Sequence, residues 1–397
     1  MSRPEPCPHQ PPCPGCPRYG IPGVAPHAFE RLRALATSAG LEPPRVVEGP
    51  RQGFRHRARL AVRGRSHGPK IGIFASGSHR VVHIPECRVH HPLVNEVAEV
   101  VRRAAVSCHV PPYSDTAHAG RLRYLQIVVE RASASAQLVV VTNDTEPTGL
   151  EPFFERVARD LGPRLHSLFW NGNPERTNAV LGDRFVHLSG PQTVVERIGA
   201  ARVHYPPGAF GQSNLPLADE LGAHIDALVP DGAHLVELYA GVGALSLPLL
   251  HRLSRLDVNE LTEHSLAGLA RGIADLPPDL ATRVHVHPGS AEHNAALVRG
   301  ADVVLVDPPR RGLDADVLSA LLEAPPRRLI YVSCGLDAFL REAEALLARG
   351  RLSLRSLEVF ALFPYTEHVE TLAVFERRAD GGDASSASGC DETGAAL

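Results

Sequence analysis

Apolar residues recur along this chain in two different rhythms. Between residues 53 and about 198 they come in short runs, FRHRARLAVRG, KIGIF, HRVVHI, LRYLQIVVE and AQLVVVT. Several alternate with polar residues at every second position, the period of a strand buried on one face. Two stretches, roughly 93–105 and 150–161, interrupt the series with helical spacing, so this part predicts a strand-rich α+β module. Ahead of it, 27–39 puts Phe29, Leu32, Leu35 and Ala36 on one helical face and stops at Gly40. Residues 1–25, rich in Pro, Cys and Gly, predict no regular element.

From residue 215 the rhythm changes. LPLADELGAHIDAL reads as a helix and AHLVELY as a buried strand, followed by a Gly-rich turn and another helix. RLDVNE, RVHVH, DVVLVD and LIYVSC follow, each short, apolar and separated from the next by a helical stretch. Strands alternating with helices predict a doubly wound parallel α/β sheet. LEVFALFP and HVETLAVFER then form a hairpin with no helix between them. A parallel sheet ending in an antiparallel hairpin resembles the Rossmann-like class I methyltransferase fold, which implies seven strands. The expected organisation is a Cys-rich segment and helix (1–48), a strand-rich module (49–200), the α/β domain (201–378) and a small-polar tail (379–397) expected to be disordered.

Composition adds an asymmetry. The net charge is −3, yet residues 1–131 hold 19 Arg and Lys against 9 Asp and Glu, while the remainder holds 22 against 35. A basic front on an acidic body suits a nucleic-acid partner. Residues 49–85 carry eight basic residues and no acid. There Arg55, Arg57, Arg59, Arg63 and Arg65 alternate with Phe54, His56, Ala58, Leu60 and Val62, so a strand would turn the arginines onto one face with spacing suited to successive phosphates. Arg121 and Arg123 extend this expected ribbon. No signal peptide and no membrane-spanning run is evident, and a cytoplasmic monomer is expected. In that compartment clustered cysteines serve metal or chemistry more often than disulfides. Of the seven, Cys7, Cys13, Cys16 and Cys87 offer four thiolates suited to an iron–sulfur cluster or to zinc, Cys108 is expected in the core, and Cys390 sits in the tail.

Chemistry gathers at the ends of the parallel strands, where a doubly wound sheet opens its ligand crevice. Glu237-Leu-Tyr-Ala-Gly241-Val-Gly243 is a turn that lets a ligand approach the backbone, and Glu260 ends the next strand, suited to ribose hydroxyls. By itself this segment also fits a dehydrogenase, although the third glycine of the dinucleotide fingerprint is absent. Asp307-Pro-Pro-Arg-Arg-Gly312 ends a later strand. Cys334 ends another, just before a helix at 336–349 whose N-terminus is expected to lower the thiol pKa.

Phe210-Gly-Gln212-Ser-Asn214, Glu237 to Leu247, Asp307 to Gly312, Ser333-Cys334 and Phe363 to Glu370 occur in the order of the uracil-5 RNA methyltransferases, which the chain resembles. Gly53 to Arg57, and Cys87 with His90 and Pro92, extend the resemblance forward. It implies methylation of uridine C5 in RNA with S-adenosyl-L-methionine, with Cys334 as nucleophile and Glu370 as base; Glu367 is a nearby rival. It also implies that Gln212, Tyr239, Gly241, Glu260 and Asp307 line the cofactor. The four metal cysteines resemble the [4Fe–4S] site of the 23S ribosomal RNA branch, with zinc the alternative. Transfer RNA as substrate, cytosine as target base, and a catalytically silent RNA-binding protein are the competing readings. Gly335-Leu336 stands where the family usually has Asn-Pro, Ser290 replaces a usual acid, and Ala240 replaces a usual cysteine.

Overall fold

The computed structural model describes residues 6–21 and 23–378; the tail expected to be disordered, with Cys390, lies outside the described residues. In chain order, α1 (Pro26–Ser38) leads to β1 (Arg45–Val47), then β2 (Arg57–Arg65), β3 (Gly68–Phe74), β4 (Val81–His83) and α2 (Pro92–Ser107). After these come β5 (Leu122–Glu130), β6 (Ser135–Thr142), α3 (Glu151–Leu161), β7 (Leu165–Gly172) and β8 (Arg184–Ser189). Strands β2 to β8 form one sheet in the order β4-β3-β2-β5-β6-β7-β8, antiparallel except for the β6–β7 pair. Helices α2 and α3 pack on one face through Val94, Val97, Val101, Phe153 and Val157. A second, smaller core of Ala61, Tyr124, Val139, Val141 and Phe169 lies against the other face. Covered on both sides, β5 and β6 are buried at every residue, which is why they read as unbroken apolar runs rather than as alternation.

The short pair β9 (Val194–Ile198) and β10 (Ala201–Tyr205) joins this module to the second sheet. Its elements are α4 (Leu215–Leu228), β11 (His234–Leu238), β12 (Arg255–Glu260), α5 (Glu263–Ala274), α6 (Pro278–Ala281), β13 (Val284–Pro288) and β14 (Val303–Val306), followed by α7 (Ala315–Glu323), β15 (Arg328–Ser333), α8 (Leu336–Ala348), β16 (Leu352–Phe360) and β17 (Glu370–Arg377). The strand order is β1-β16-β17-β15-β14-β11-β12-β13, parallel from β15 to β13, with β17 antiparallel to both its neighbours.

Two expectations are corrected here. The sheet has eight strands, because β1 pairs in parallel with the outer hairpin strand, Val46 opposite Val359. Helix α1 delivers it by burying Ala28, Leu32, Leu35 and Ala36 in the same core as α8 and β16. No α-helix follows the Gly-rich turn. Tyr239, Gly241 and Gly243 all take positive φ (62°, 60° and 78°), and the chain continues through turns into a 3-10 segment, Leu247–Arg252. Pro248 has no N–H with which to carry an α-helical ladder through this stretch. Among the described residues no helix is long and apolar enough to cross a membrane.

Candidate active site

Strand register sets the site. Val306 at the end of β14 lies opposite Tyr331 of β15, and Ser333 at the end of β15 lies opposite Thr371 of β17. The next residues along, Asp307, Cys334 and Glu370, therefore meet at one edge of the sheet. Glu370 is buried, 2% exposed, and its Oε1 has no hydrogen-bond partner among the described residues. Burial, then the charge of Asp307, raises its pKa well above the usual carboxylate range, with Arg310 pulling the other way. Burial likewise raises Asp307 to about 7. Glu367, the rival base, is half-exposed and turns away to Arg18 and His27, 3.9 Å and 3.4 Å distant.

The thiol behaves oppositely to expectation. Burial first, then the charges of Glu370 and Asp307, push Cys334 up to about 11, and Arg310 offsets only part of this. The start of α8 does lie directly after it, with Gly335 as the cap residue. Two neighbouring carboxylates and lost hydration outweigh that partial positive charge. Gly335 fits because a Cβ there would come 2.3 Å from the carbonyl oxygen of Arg310. The Asp307–Gly312 loop thus presses onto the backbone beside Cys334.

Next to this edge lies a pocket lined by Gln212, Tyr239, Gly241 and Asp307 together with Glu237 and Phe210. Gln212 is steadied from both domains: Asn214 caps α4 at Leu217 and donates through Nδ2 to Leu362 O (3.2 Å), while His56 N donates to Ser213 O (2.8 Å). Tyr239 accepts from Asp314 N at 3.0 Å. Glu260 stands on the adjacent strand end, outside that lining, and accepts from Gly241 N (2.8 Å), Thr262 N (2.7 Å) and Thr262 Oγ1 (2.8 Å). Its carboxylate holds the glycine turn in shape while keeping lone pairs for a further donor. Ser290 bonds to His293, 2.5 Å away. Sequence reasoning left Glu237 out of the site. It is 1% exposed, its Oε2 is unbonded, and burial raises it to about 8. Its signal is an acid inside an otherwise apolar strand, His-Leu-Val-Glu-Leu. Arg131 lines the same pocket but is tied to Glu196 (2.7 Å) and Asp219. Among the described residues Glu237 and Asp307 have no basic partner, and an orphaned buried oxygen beside a glycine turn fits a cofactor bearing ammonium and sulfonium groups.

The arginine ribbon divides. Arg55, Arg57 and Arg59 line one cavity near the pocket. Arg63 is corrected: it is 6% exposed and forks onto Asp115 (2.6 and 3.0 Å), ringed by Phe74, Tyr113 and Tyr124. The second core covers the strand face from Ala61 onward, so the fourth rung points inward. Arg123 is buried too, and Arg121 pairs with Asp144 at 2.9 Å.

Cys7, Cys13, Cys16 and Cys87 line a single cavity of about 180 Å³ between the N-terminal segment and the strand module. Burial, followed by the neighbouring thiols, raises Cys16 to about 12, and burial raises Cys13 and Cys87. Four half-buried soft donors suit a thiophilic centre. Among the described residues, however, no group of three or more His, Cys, Asp or Glu is found that could hold a metal ion. Cys108, at the C-terminal cap of α2, packs against the core of the module.

Residues 299–378 match the family model described as tRNA (uracil-5-)-methyltransferase. The chain is 34% identical over 379 residues to an uncharacterized RNA methyltransferase of Protochlamydia amoebophila, covering 94% of this chain and 97% of that one. It is 28% identical to an uncharacterized RNA methyltransferase of Geobacter sulfurreducens, covering 88% and 71%. The tRNA (uracil-54, C5)-methyltransferase of Pyrococcus abyssi, solved with S-adenosyl-L-homocysteine, superposes with a TM-score of 0.73 over 91% of this chain and 85% of that one; at 23% identity this likeness concerns the fold. Fold, pocket and relatives together define an S-adenosylmethionine-dependent RNA methyltransferase. Within that class, the chain belongs to the uracil-5 RNA methyltransferase family.

Proposed function

We propose that this protein methylates C5 of an unpaired uridine in 23S ribosomal RNA, with Cys334 as nucleophile and Glu370 as base. The observation that carries this reading is the β15–β17 register, Ser333 opposite Thr371, which brings a thiol and a buried carboxylate together beside Asp307. Uridine C5 is too weak a nucleophile to take a methyl group unaided. Cys334 gives up its proton to solvent and its sulfur bonds to C6, moving the C5–C6 electron pair into an enolate with density at C5. Gln212, Tyr239, Gly241, Glu260 and Asp307, with Glu237, would hold S-adenosylmethionine, whose sulfonium would supply an electrophilic methyl group and leave as the neutral thioether. Glu370 then takes the C5 proton, the C5–C6 double bond re-forms and the thiolate leaves. A carboxylate whose pKa is raised by burial is the stronger base for that step. Arg55, Arg57 and Arg59 face the RNA, and a base swung out of a loop or bulge reaches the thiol more readily than one in a duplex.

The four cysteines Cys7, Cys13, Cys16 and Cys87 hold a [4Fe–4S] cluster in this reading, with their shared cavity as support. The chemistry above needs no redox step, so the cluster ties the helix-poor N-terminus to the strand module. Iron and sulfide analysis of anaerobically purified protein should give about four of each per chain; stoichiometric zinc without sulfide would replace the cluster by zinc. The protein acts as a cytoplasmic monomer. Transfer RNA is the second reading, favoured by the name of the matched family model and by the Pyrococcus abyssi enzyme. The deciding experiment incubates the protein with cofactor and 5-fluorouridine-substituted ribosomal or transfer RNA. A cofactor-dependent covalent protein–RNA band, lost in Cys334→Ala, is expected. Mass analysis of nucleosides from unsubstituted RNA then identifies 5-methyluridine and its RNA. Undiminished 5-methyluridine from Cys334→Ala would end the proposal.

A further inference from the structure

We infer that Arg57 and Arg59 close on a single backbone phosphate of the RNA, in a cavity that adjoins the methyl-donor pocket. This rests on the RNA reading above and adds where the strand is gripped. The cavity measures about 310 Å³ and is lined by Arg55, Arg57, Arg59, Gln126, Phe210 and Gly211 among others, with no carboxylate in its walls. Phe210 and Gly211 also line the cofactor pocket, so the two cavities share a wall.

Arg57 is the telling side chain. Its guanidinium lies over the ring of Tyr205, 4.1 Å from the centroid, and within the described residues it has neither a hydrogen-bond acceptor nor an ion-pair partner. Most other inward arginines of this protein are matched: Arg63 by Asp115, Arg121 by Asp144, Arg131 by Glu196. A half-buried guanidinium without acceptors is stabilised by an anion that completes it. Space has been left for it to lie there, since a Cβ on Gly211 would come 2.5 Å from Arg57 Cζ. Arg59 is aimed rather than neutralised. Its Nε donates to Oε1 of buried Gln126, the residue opposite it on β5, at 3.0 Å, which leaves both Nη groups free. Planar forks converging on a tetrahedral anion are the geometry that arginine offers and lysine does not. The evenly spaced ladder over successive phosphates is not what the strand presents, because its rung at Arg63 is spent on Asp115.

Salt dependence counts the phosphates. Binding of labelled single-stranded oligouridylate, which carries the target base at every position, is measured by anisotropy against salt concentration for the full-length protein and for Arg57→Gln, Arg59→Gln and the double variant. On single strands each neutralised phosphate contributes about 0.7 to the slope of log K against log salt. Two arginines on one phosphate predict that each single variant, which leaves one cation on that phosphate, weakens binding at a nearly unchanged slope, and that the double variant flattens the slope by about 0.7. Single variants that each flatten the slope by about 0.7, with the double variant at about 1.4, would mean two separate phosphates, and a double variant with an unchanged slope would mean none; either overturns the inference. Wild-type protein without salt-dependent binding would instead remove the RNA reading itself. S-adenosylmethionine affinity and melting temperature report folding. Should Arg57→Gln fail to fold, Arg57→Lys keeps the charge and loses the fork: weaker binding at an unchanged slope supports the site, and wild-type affinity overturns it.

Discussion

Cys334 should become reactive only over an alkaline range, and the reason lies in what surrounds it. Burial and the charges of Glu370 and Asp307 raise its pKa from 9.0 to about 11, against the pull of Arg310. At pH 8 a thiol titrating at about 11 is ionised to roughly one part in a thousand, against about one in ten for a thiol titrating at 9.0, and alkylation proceeds through the thiolate. Iodoacetamide should therefore modify Cys334 about a hundredfold more slowly than an unperturbed thiol at pH 8, with the rate rising about tenfold per pH unit. Initial rates between about pH 7 and 9.5, read on the Cys334 peptide by mass spectrometry, separate it from the other cysteines. Glu370→Gln removes the largest raising charge, so the same measurement should show faster alkylation at pH 8. A wild-type rate that levels off at or below pH 8.5 would refute this reasoning, because the N-terminus of α8 would then outweigh both carboxylates. An unchanged rate in Glu370→Gln would refute it too, by showing that the carboxylate does not sense the thiol.

Turnover should respond in the reverse direction: Glu370→Gln should lower it by about 10²–10⁴-fold while a methylated covalent RNA adduct accumulates on gels, and Glu367→Gln should leave turnover near that of wild type. Gly335→Ala drives a Cβ to within 2.3 Å of Arg310 O, so the Asp307–Gly312 loop must shift; kcat/KM should fall about 100-fold, and an unaffected enzyme would show that the loop has slack. Asp257, 1% exposed, is burdened by burial but receives hydrogen bonds from Arg255 (2.6 Å), His287 (2.7 Å) and His234 (2.6 Å), which together hold its pKa well below the usual range. A carboxylate depressed in this way stabilises the fold above its unfolded pKa, about 4, and loses that contribution as pH falls. Asp257→Asn should cost about 1–3 kcal/mol at pH 7 and make thermal stability less sensitive to acid below about pH 4; a variant with wild-type acid sensitivity would contradict the assignment.

The parallel sheet was legible because Val303–Val306 and Leu329–Val332 are buried on both faces and carry no polar interruption. Edge strand β1 was not, since three residues, Arg45–Val47, hold no period; it exists because α1 and the β16–β17 hairpin offer it a free edge. Alternation put Arg57 and Arg59 on one face of β2, and Arg55, which precedes the strand, lines the same cavity. It could not register a second core closing over Ala61 and beyond, which turned Arg63 inward. The thiol was misjudged for a related reason. Position before a helix is a local signal, whereas Asp307 and Glu370 reach Cys334 through strand pairing across separations of 27 and 36 residues. Pro248 was the visible warning that the helix after the glycine turn would fail.

What the sequence could not convey is how sharply charge is sorted across a ridge of two residues. On one side of Phe210 and Gly211 the pocket wall holds Glu196, Asp219, Glu237 and Asp307 against Arg131. On the other side the wall holds Arg55, Arg57 and Arg59 and no acid. A methyl donor with a sulfonium carries net positive charge, and it loses that charge when the methyl leaves. An RNA strand is a polyanion. In the proposed reaction a cationic donor favours the charged forms of Glu237 and Asp307, which burial otherwise raises to about 8 and about 7, and the polyanion is drawn to the arginine side. In that reading the pocket's attraction weakens once transfer has occurred, because the demethylated product no longer offers a sulfonium to Glu237 and Asp307. The partition visible as an excess of bases before residue 131 and of acids after it thus reappears within a single site, where it orders the two reactants and favours release of the spent one.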